Sequence, residues 1–247
     1  MTRPTRTALF ALAGAALVAP LGAIVAQAAK PTVAIMYFNN NVITKDARDY
    51  DGLSKGLPDF LITEMSSNSA IRVVERDQVQ KLLDEQKLVG GGQVDRESAV
   101  KVGKLLGAQH MIFGGYMADT KGNFRIDARA VNVETGAIEF TDRVQDRSEN
   151  VLALVGQLAG RLNAGLKLPA SPTRTGDAGA AGAGAQQAGS PTPTKLPMRA
   201  AVLYGKALDM ADKGDKARAV ELFGAVLKEF PDYAPARTGL AKVQPNK

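Results

Sequence analysis

The apolar residues of this chain change their spacing along its length, and each spacing admits one kind of element. Residues 33–38 (VAIMYF) form an unbroken apolar run between Pro31 and the Asn39-Asn40-Asn41 cluster. A run of that length suits a strand buried on both faces. Over residues 50–67 the apolar positions Leu53, Leu57, Phe60, Leu61 and Met65 recur at helical intervals. Pro58 lies inside this stretch, so the spacing predicts a helix that kinks at Pro58 or begins near it. Residues 71–74 (IRVV) predict a short second strand. Val79, Leu82 and Leu83 then share one face of a helix over 77–88, which Gly90-Gly91-Gly92 interrupts. Asp95 or Ser98 is placed to cap a third helix carrying Ala99, Val102, Leu105 and Leu106, with Gly107 at its end.

After Gln109 the period falls to two. Residues 111–118 read as a strand in which Gly114-Gly115 marks a bulge. A turn over 119–123 follows. Phe124, Ile126, Ala128 and Ala130 then alternate with Arg125, Asp127 and Arg129, the pattern of a strand with one wet face. Glu134-Thr135-Gly136 is a hairpin turn, after which Ile138 and Phe140 alternate with Glu139 and Thr141. Ser148 is placed to cap a helix with Val151, Leu154, Val155, Leu158 and Leu162 on one stripe. Early strands separated by helices imply parallel pairing, and late hairpins imply antiparallel pairing. The expected fold is α/β, with a mixed sheet flanked by helices.

Three further segments complete the expected organisation. Residues 1–28 join Arg3 and Arg6 to a long Ala- and Gly-rich apolar run ending in Ala26-Gln27-Ala28, the pattern of a signal peptide cleaved after Ala28. The α/β domain then occupies 29–168. Residues 169–197 are rich in Pro, Gly and Ala and carry too little apolar area to offset their ordering entropy, so they read as a flexible linker. Residues 198–247 contain two helices: one with Ala201, Tyr204, Leu208 and Met210, then one with Ala219, Leu222, Phe223 and Val226 on its inner face, joined at Gly214-Asp215.

Composition excludes several kinds of chemistry. The sequence has no cysteine, so disulfides, thiol catalysis, cysteine-held metals and an acylated lipobox cysteine are all ruled out within it. The net charge is +6; without Arg3 and Arg6 there are 29 basic and 25 acidic residues, a net +4, and no long basic run that would suit nucleic acid. Such an excess supports at most weak attraction to anionic lipid heads or wall polymer. Aromatics are 5% and Trp is absent, so stacking platforms for sugars or bases are scarce. His110 is the single histidine and reads as a packing residue. No serine lies in a nucleophile elbow, and Gly90-Gly91-Gly92 lacks the lysine of a phosphate loop. Asp46, Asp49 and Asp51 lack the glycine and distal glutamate of a calcium loop and read as a solvated turn. Neither an enzyme nor a cofactor is expected.

Residues 33–147 resemble the CsgG family of curli secretion proteins. The resemblance rests on VAIMYFNN at 33–40, RVVERDQVQKLLDEQKLV at 72–89, AVKVGKLLGAQHMIFGG at 99–115 and ARAVNVETGAIEFT at 128–141. It implies a periplasmic or outer-membrane-associated location and a part in surface-polymer secretion or envelope assembly. The curli channel adds two membrane-spanning hairpins per subunit, whereas this sequence has a tight turn at 119–123 and an amphipathic helix over 148–168. Residues 198–247 resemble a tetratricopeptide repeat at Gly214-Asp215, Ala219, Phe223 and Pro231. One repeat cannot bury a solenoid core alone, so it is expected to pack on the main domain, self-associate or stay partly molten.

The expected function is that of a non-enzymatic periplasmic scaffold or accessory factor, with envelope or secreted proteins, or further copies of itself, as partners. An oligomeric outer-membrane pore subunit is the alternative. Candidate interaction residues are Glu75, Arg76, Tyr204, Phe223, Leu158 and Leu162. Glu75 and Arg76 stand where strand hands over to helix, and a hydrogen-bonded cap is the structural role expected of that pair.

Overall fold

A computed structural model describes residues 29–86, 94–119, 122–147, 150–170 and 195–244. The expected signal peptide, the Gly90-Gly91-Gly92 break, Ser148 and most of the expected linker lie outside the described residues.

The sheet forms from β1 (Thr32–Asn40), β2 (Arg72–Val73), β3 (His110–Ala118), β4 (Asn123–Asn132) and β5 (Ile138–Arg147). Their spatial order is β2-β1-β3-β4-β5. Both neighbours of β1 run parallel to it, and β3, β4 and β5 are successively antiparallel. This is the mixed sheet that the change of period predicts. The helices are α1 (Leu53–Ser66), α2 (Arg76–Glu85), α3 (Arg96–Leu106), α4 (Val151–Gly165), α5 (Met198–Asp212), α6 (Lys216–Glu229) and α7 (Ala234–Val243).

Alternation along the strands sorts two cores. One face of the sheet presents Val33, Ile35, Ile112, Tyr116, Phe124, Ile126, Ala128 and Ala130 to α1, α4 and the C-terminal helices. The other presents Ala34, Met36, Met111, Phe113 and Val131 to Val79 and Leu83 of α2 and to Ala99 and Val102 of α3. β1 is therefore buried on both sides, as its unbroken apolar run requires.

Local details depart from expectation in instructive ways. α1 runs unbroken from Leu53 through Pro58, so the proline neither starts nor ends it. Pro58 is buried inside the helix, where its missing N–H forgoes one helix bond. The bulge lies in β1, not β3: Ile35 pairs with Ile112 but Phe38 with Gly114, leaving one extra residue on β1. Gly114 serves a different purpose, since a Cβ there would lie 2.0 Å from the Asp127 carbonyl oxygen on β4. Asp95 and Ser98 both cap α3, in a reciprocal box, and Gly107 ends that helix at φ 64°. The cap of α4 is Asn150, whose side chain accepts from the Ala153 N–H. Between β3 and β4, the Asp119 carbonyl accepts from the Gly122 N–H at 3.2 Å.

The C-terminal helices share the first core. Tyr204, Leu208, Ala219, Phe223, Val226, Tyr233 and Ala236 belong to the same buried cluster as Leu57, Phe60 and Leu158. Of the three outcomes expected for a lone hairpin, the observed one is packing on the main domain. Leu196 is fully buried, and its carbonyl accepts from the Val151 N–H at the start of α4, while residues 166–170 leave the other end of that helix.

Candidate functional site

Charged groups converge where α1, α2 and α5 meet. Arg76 opens α2, and its side chain is 7% exposed. Its Nη1 and Nη2 donate to the two carboxylate oxygens of Asp212, at 2.8 and 3.1 Å. This two-pronged geometry suits a planar guanidinium and fixes orientation as well as distance. Nη2 also donates to Asp77 at 2.9 Å, and Nε lies 3.7 Å from Asp59. Lys55 of α1 donates to Asp212 at 2.7 Å and to Gln80 at 3.2 Å, and it pairs with Asp209 at 3.2 Å. Tyr37 of β1 donates its hydroxyl to Gln80, and Lys55 stands 5.3 Å from the Tyr37 ring centre. At the rim, Lys242 of α7 donates to Asp77 at 2.8 Å. The four carboxylates Asp59, Asp77, Asp209 and Asp212 thus face Arg76 and Lys55 inside, with Lys242 and Lys213 at the margin.

The charges settle accordingly. Burial alone would lower the Arg76 value, but the hydrogen bonds and charge of Asp212, with Asp59 and Asp77, raise it, so the guanidinium stays protonated. Burial works against ionised Asp209, yet Lys213 and Lys55 together hold it below the usual carboxylate range. Lys242 and Arg76 do the same for Asp77 against its own burial. Asp59 goes the other way: burial raises it, and the Tyr204 hydrogen bond and Arg76 only partly oppose that. Burial, followed by the nearby Asp212 charge, pushes the Tyr37 phenol up.

An aromatic cluster and a pair of backbone contacts lie beside the charges. Tyr204 stacks on Phe60 at 5.4 Å between ring centres and meets Tyr233 edge-on at 5.4 Å and Phe223 at 5.9 Å. Its hydroxyl donates to Asp59 at 2.6 Å. Gly52, Gly56 and Gly205 let α5 approach α1 at backbone distance, since a Cβ on Gly205 would lie 1.8 Å from the Gly52 carbonyl oxygen.

Of the expected interaction residues, Arg76, Tyr204 and Phe223 are brought together here. Glu75 is not: it is the exposed N-cap residue of α2 and its side chain makes no capping bond, so the expected cap by this pair is absent. Arg76 turns inward instead because three carboxylates, Asp59, Asp77 and Asp212, offer it partners. Leu158 and Leu162 lie in α4, buried against α1 and the sheet. Apart from Glu75, all these side chains make internal contacts, and an outside partner would have to displace a helix to touch them. His110 accepts or donates at Glu139 across 2.7 Å, beside Asn132 on the same carboxylate. Asp51 accepts from Asn40, and among the described residues no group of three or more His, Asp or Glu is arranged to hold a metal.

Sequence reasoning did not single out Lys55, Asp59, Asp209 or Asp212. A signal exists: Tyr204, Gly205, Leu208, Asp209 and Asp212 follow one helical stripe, so two acids continue an apolar face where solvent-facing charge is not expected. The arrangement holds no activated nucleophile. What it can do is clamp the C-terminal helices to the sheet domain through a buried, charge-balanced network.

No curated protein matches this chain. Among solved structures, the C-terminal domain of LpoB from Salmonella enterica is 14% identical, with a TM-score of 0.36, covering 48% of this chain and 84% of that one. Lipoprotein GNA1162 from Neisseria meningitidis is 13% identical, with a TM-score of 0.39, covering 55% of this chain and 96% of that one. The PelC dodecamer from Paraburkholderia phytofirmans is 10% identical, with a TM-score of 0.34, covering 57% and 89%. Among the described residues no helix is long and apolar enough to cross a membrane. Residues 21–121, which include β1 to β3 and Arg76, match the family model of the curli production assembly/transport component CsgG.

Proposed function

We propose that this chain is an exported, non-enzymatic envelope protein that works by protein contact, as an accessory or scaffold in envelope assembly or curli-type surface-polymer secretion. The match of residues 21–121 to the CsgG component carries this reading. The signal-peptide pattern over 1–28 supports export to the periplasm. The buried clamp supports a scaffold of defined shape: Arg76 and Lys55 hold Asp212 at 2.7–3.1 Å across more than 130 residues of chain, so the two helical and sheet-bearing parts present one surface. The C-terminal helices, which resemble a tetratricopeptide repeat, spend an inner face on α1 and leave their outer faces for a partner.

The test is cross-linking in intact cells, then affinity purification of the full chain and mass spectrometry. Envelope or exported proteins attached to a chain that begins at Ala29 are the expected result. An unprocessed chain attached only to cytosolic proteins would overturn the proposal.

A further inference from the structure

We infer that the open face of β4 and β5 is a docking surface for an extended acidic segment of a partner protein. α2 and α3 cover β1, β3 and the end of β4 at Val131 on this side of the sheet. Beyond them the face carries Arg125, Arg129, Arg143 and Arg147. The strand register pairs Arg125 with Gln145, Asp127 with Arg143, Arg129 with Thr141 and Asn123 with Arg147. Taken in the order Arg129, Arg143, Arg125, Arg147, each arginine is the diagonal neighbour of the next. The four form a zigzag advancing about 7 Å per step along the strands, or about 20 Å in all.

This row is short of negative charge. Asp127 is the one carboxylate within it, and Arg125 engages it at 2.7–3.0 Å. The guanidinium groups of Arg129, Arg143 and Arg147 have no partner among the described residues, and all three residues are exposed. Each offers five donors in a fork that fits a carboxylate. An extended polypeptide with an acid at every second position repeats its carboxylates at about 7 Å, the step of the zigzag.

The row also says how the partner binds and what it is made of. The outer edge of β5 is closed by its own side chains. Asp142 accepts the Arg143 N–H at 2.7 Å, Asp146 accepts the Arg147 N–H at 2.7 Å, and Arg161 donates to the Arg143 carbonyl at 3.2 Å. Strand addition is thereby disfavoured, and the face remains. None of the β4 and β5 positions on it is aromatic, so sugars and bases find no stacking platform.

This inference rests on the reading of the chain as a docking protein, and purified components test it separately. The probe is a fluorescent ten-residue peptide with glutamate at alternate positions, titrated into the full chain. Controls are a peptide of equal composition with its glutamates in one block, a polyglucuronate and a polyphosphate. The alternating peptide is expected to bind best. Arg129→Ser with Arg143→Ser should weaken it about tenfold with an unchanged melting temperature. Arg237→Ser, exposed elsewhere, should leave it unchanged. Equal binding of the two peptides, tighter binding of either polymer, or indifference to the double substitution would overturn the inference. A failed titration alongside envelope cross-links would do so without touching the proposed function.

Discussion

Gly205 of α5 rests directly on Gly52, at the start of α1: a Cβ added to Gly205 would sit 1.8 Å from the Gly52 carbonyl oxygen and 3.1 Å from the Gly56 nitrogen. Both obstacles are backbone, so no side-chain rotation relieves them. Gly205→Val is therefore expected to force the helices apart and cost about 1–3 kcal/mol, the range for overpacking. Hydrogen exchange should rise first in α5 to α7. Unchanged exchange there would show that the contact does not hold the C-terminal helices.

The clamp has its own signature. Asp212→Ala leaves Arg76 and Lys55 buried with fewer carboxylates and is expected to cost about 3 kcal/mol, as for a broken buried pair. Arg76→Met with Asp212→Leu removes charge from both sides and should recover much of that loss. Denaturant unfolding of both single variants and the double variant measures the coupling. Simple additivity would mean that the pair acts as two independent residues.

Acid should act on this seam with two opposite signs. Asp77 and Asp209 are held below the ordinary carboxylate value near 3.8. Their contribution is present above the unfolded value and is lost as pH falls through their lower, folded values. Asp59 is raised, so its ionised form costs stability at neutral pH, and protonation relieves that cost as pH falls through its folded value. Asp59→Asn keeps an acceptor for Tyr204. It should be neutral or stabilising at pH 7, with any advantage shrinking toward pH 4. Thermal melts of both proteins across that range give the check; an advantage that grows on acidification would reverse the sign assigned to Asp59.

The edge of β5 is closed by Asp142 and Asp146, each taking the N–H of the arginine that follows it. Edge strands with free donors pair with other chains. The double variant Asp142→Ala, Asp146→Ala is expected to self-associate more strongly than wild type in sedimentation equilibrium. No gain in association would mean that the carboxylates are incidental to edge protection.

The elements were largely legible in the sequence because their causes are local. The apolar run 33–38, the alternation from Phe124 to Ala130 and the Asp95-to-Ser98 cap each need only near neighbours. Errors fell where distant groups decide. Pro58 leaves two readings open, a kink or a start near it, and α1 starts at Leu53, so the second does not hold. Gly114-Gly115 reads as a bulge, but the register places the bulge on β1 and leaves Gly114 to admit the Asp127 carbonyl. Glu75-Arg76 reads as a local cap, but Arg76 finds Asp212 across 136 residues.

Local pattern alone determined that this chain makes a mixed sheet with helices and carries further helices at its C-terminal end, because periodicity and capping act within a few residues. The tertiary structure alone decided where those C-terminal helices sit. Their seat depends on Gly205 meeting Gly52 and on Asp212 meeting Arg76 and Lys55, contacts between segments that no spacing along the chain relates. Chain folding also lined up arginines from two strands in one row, since register, not sequence distance, sets which side chains are neighbours on a sheet.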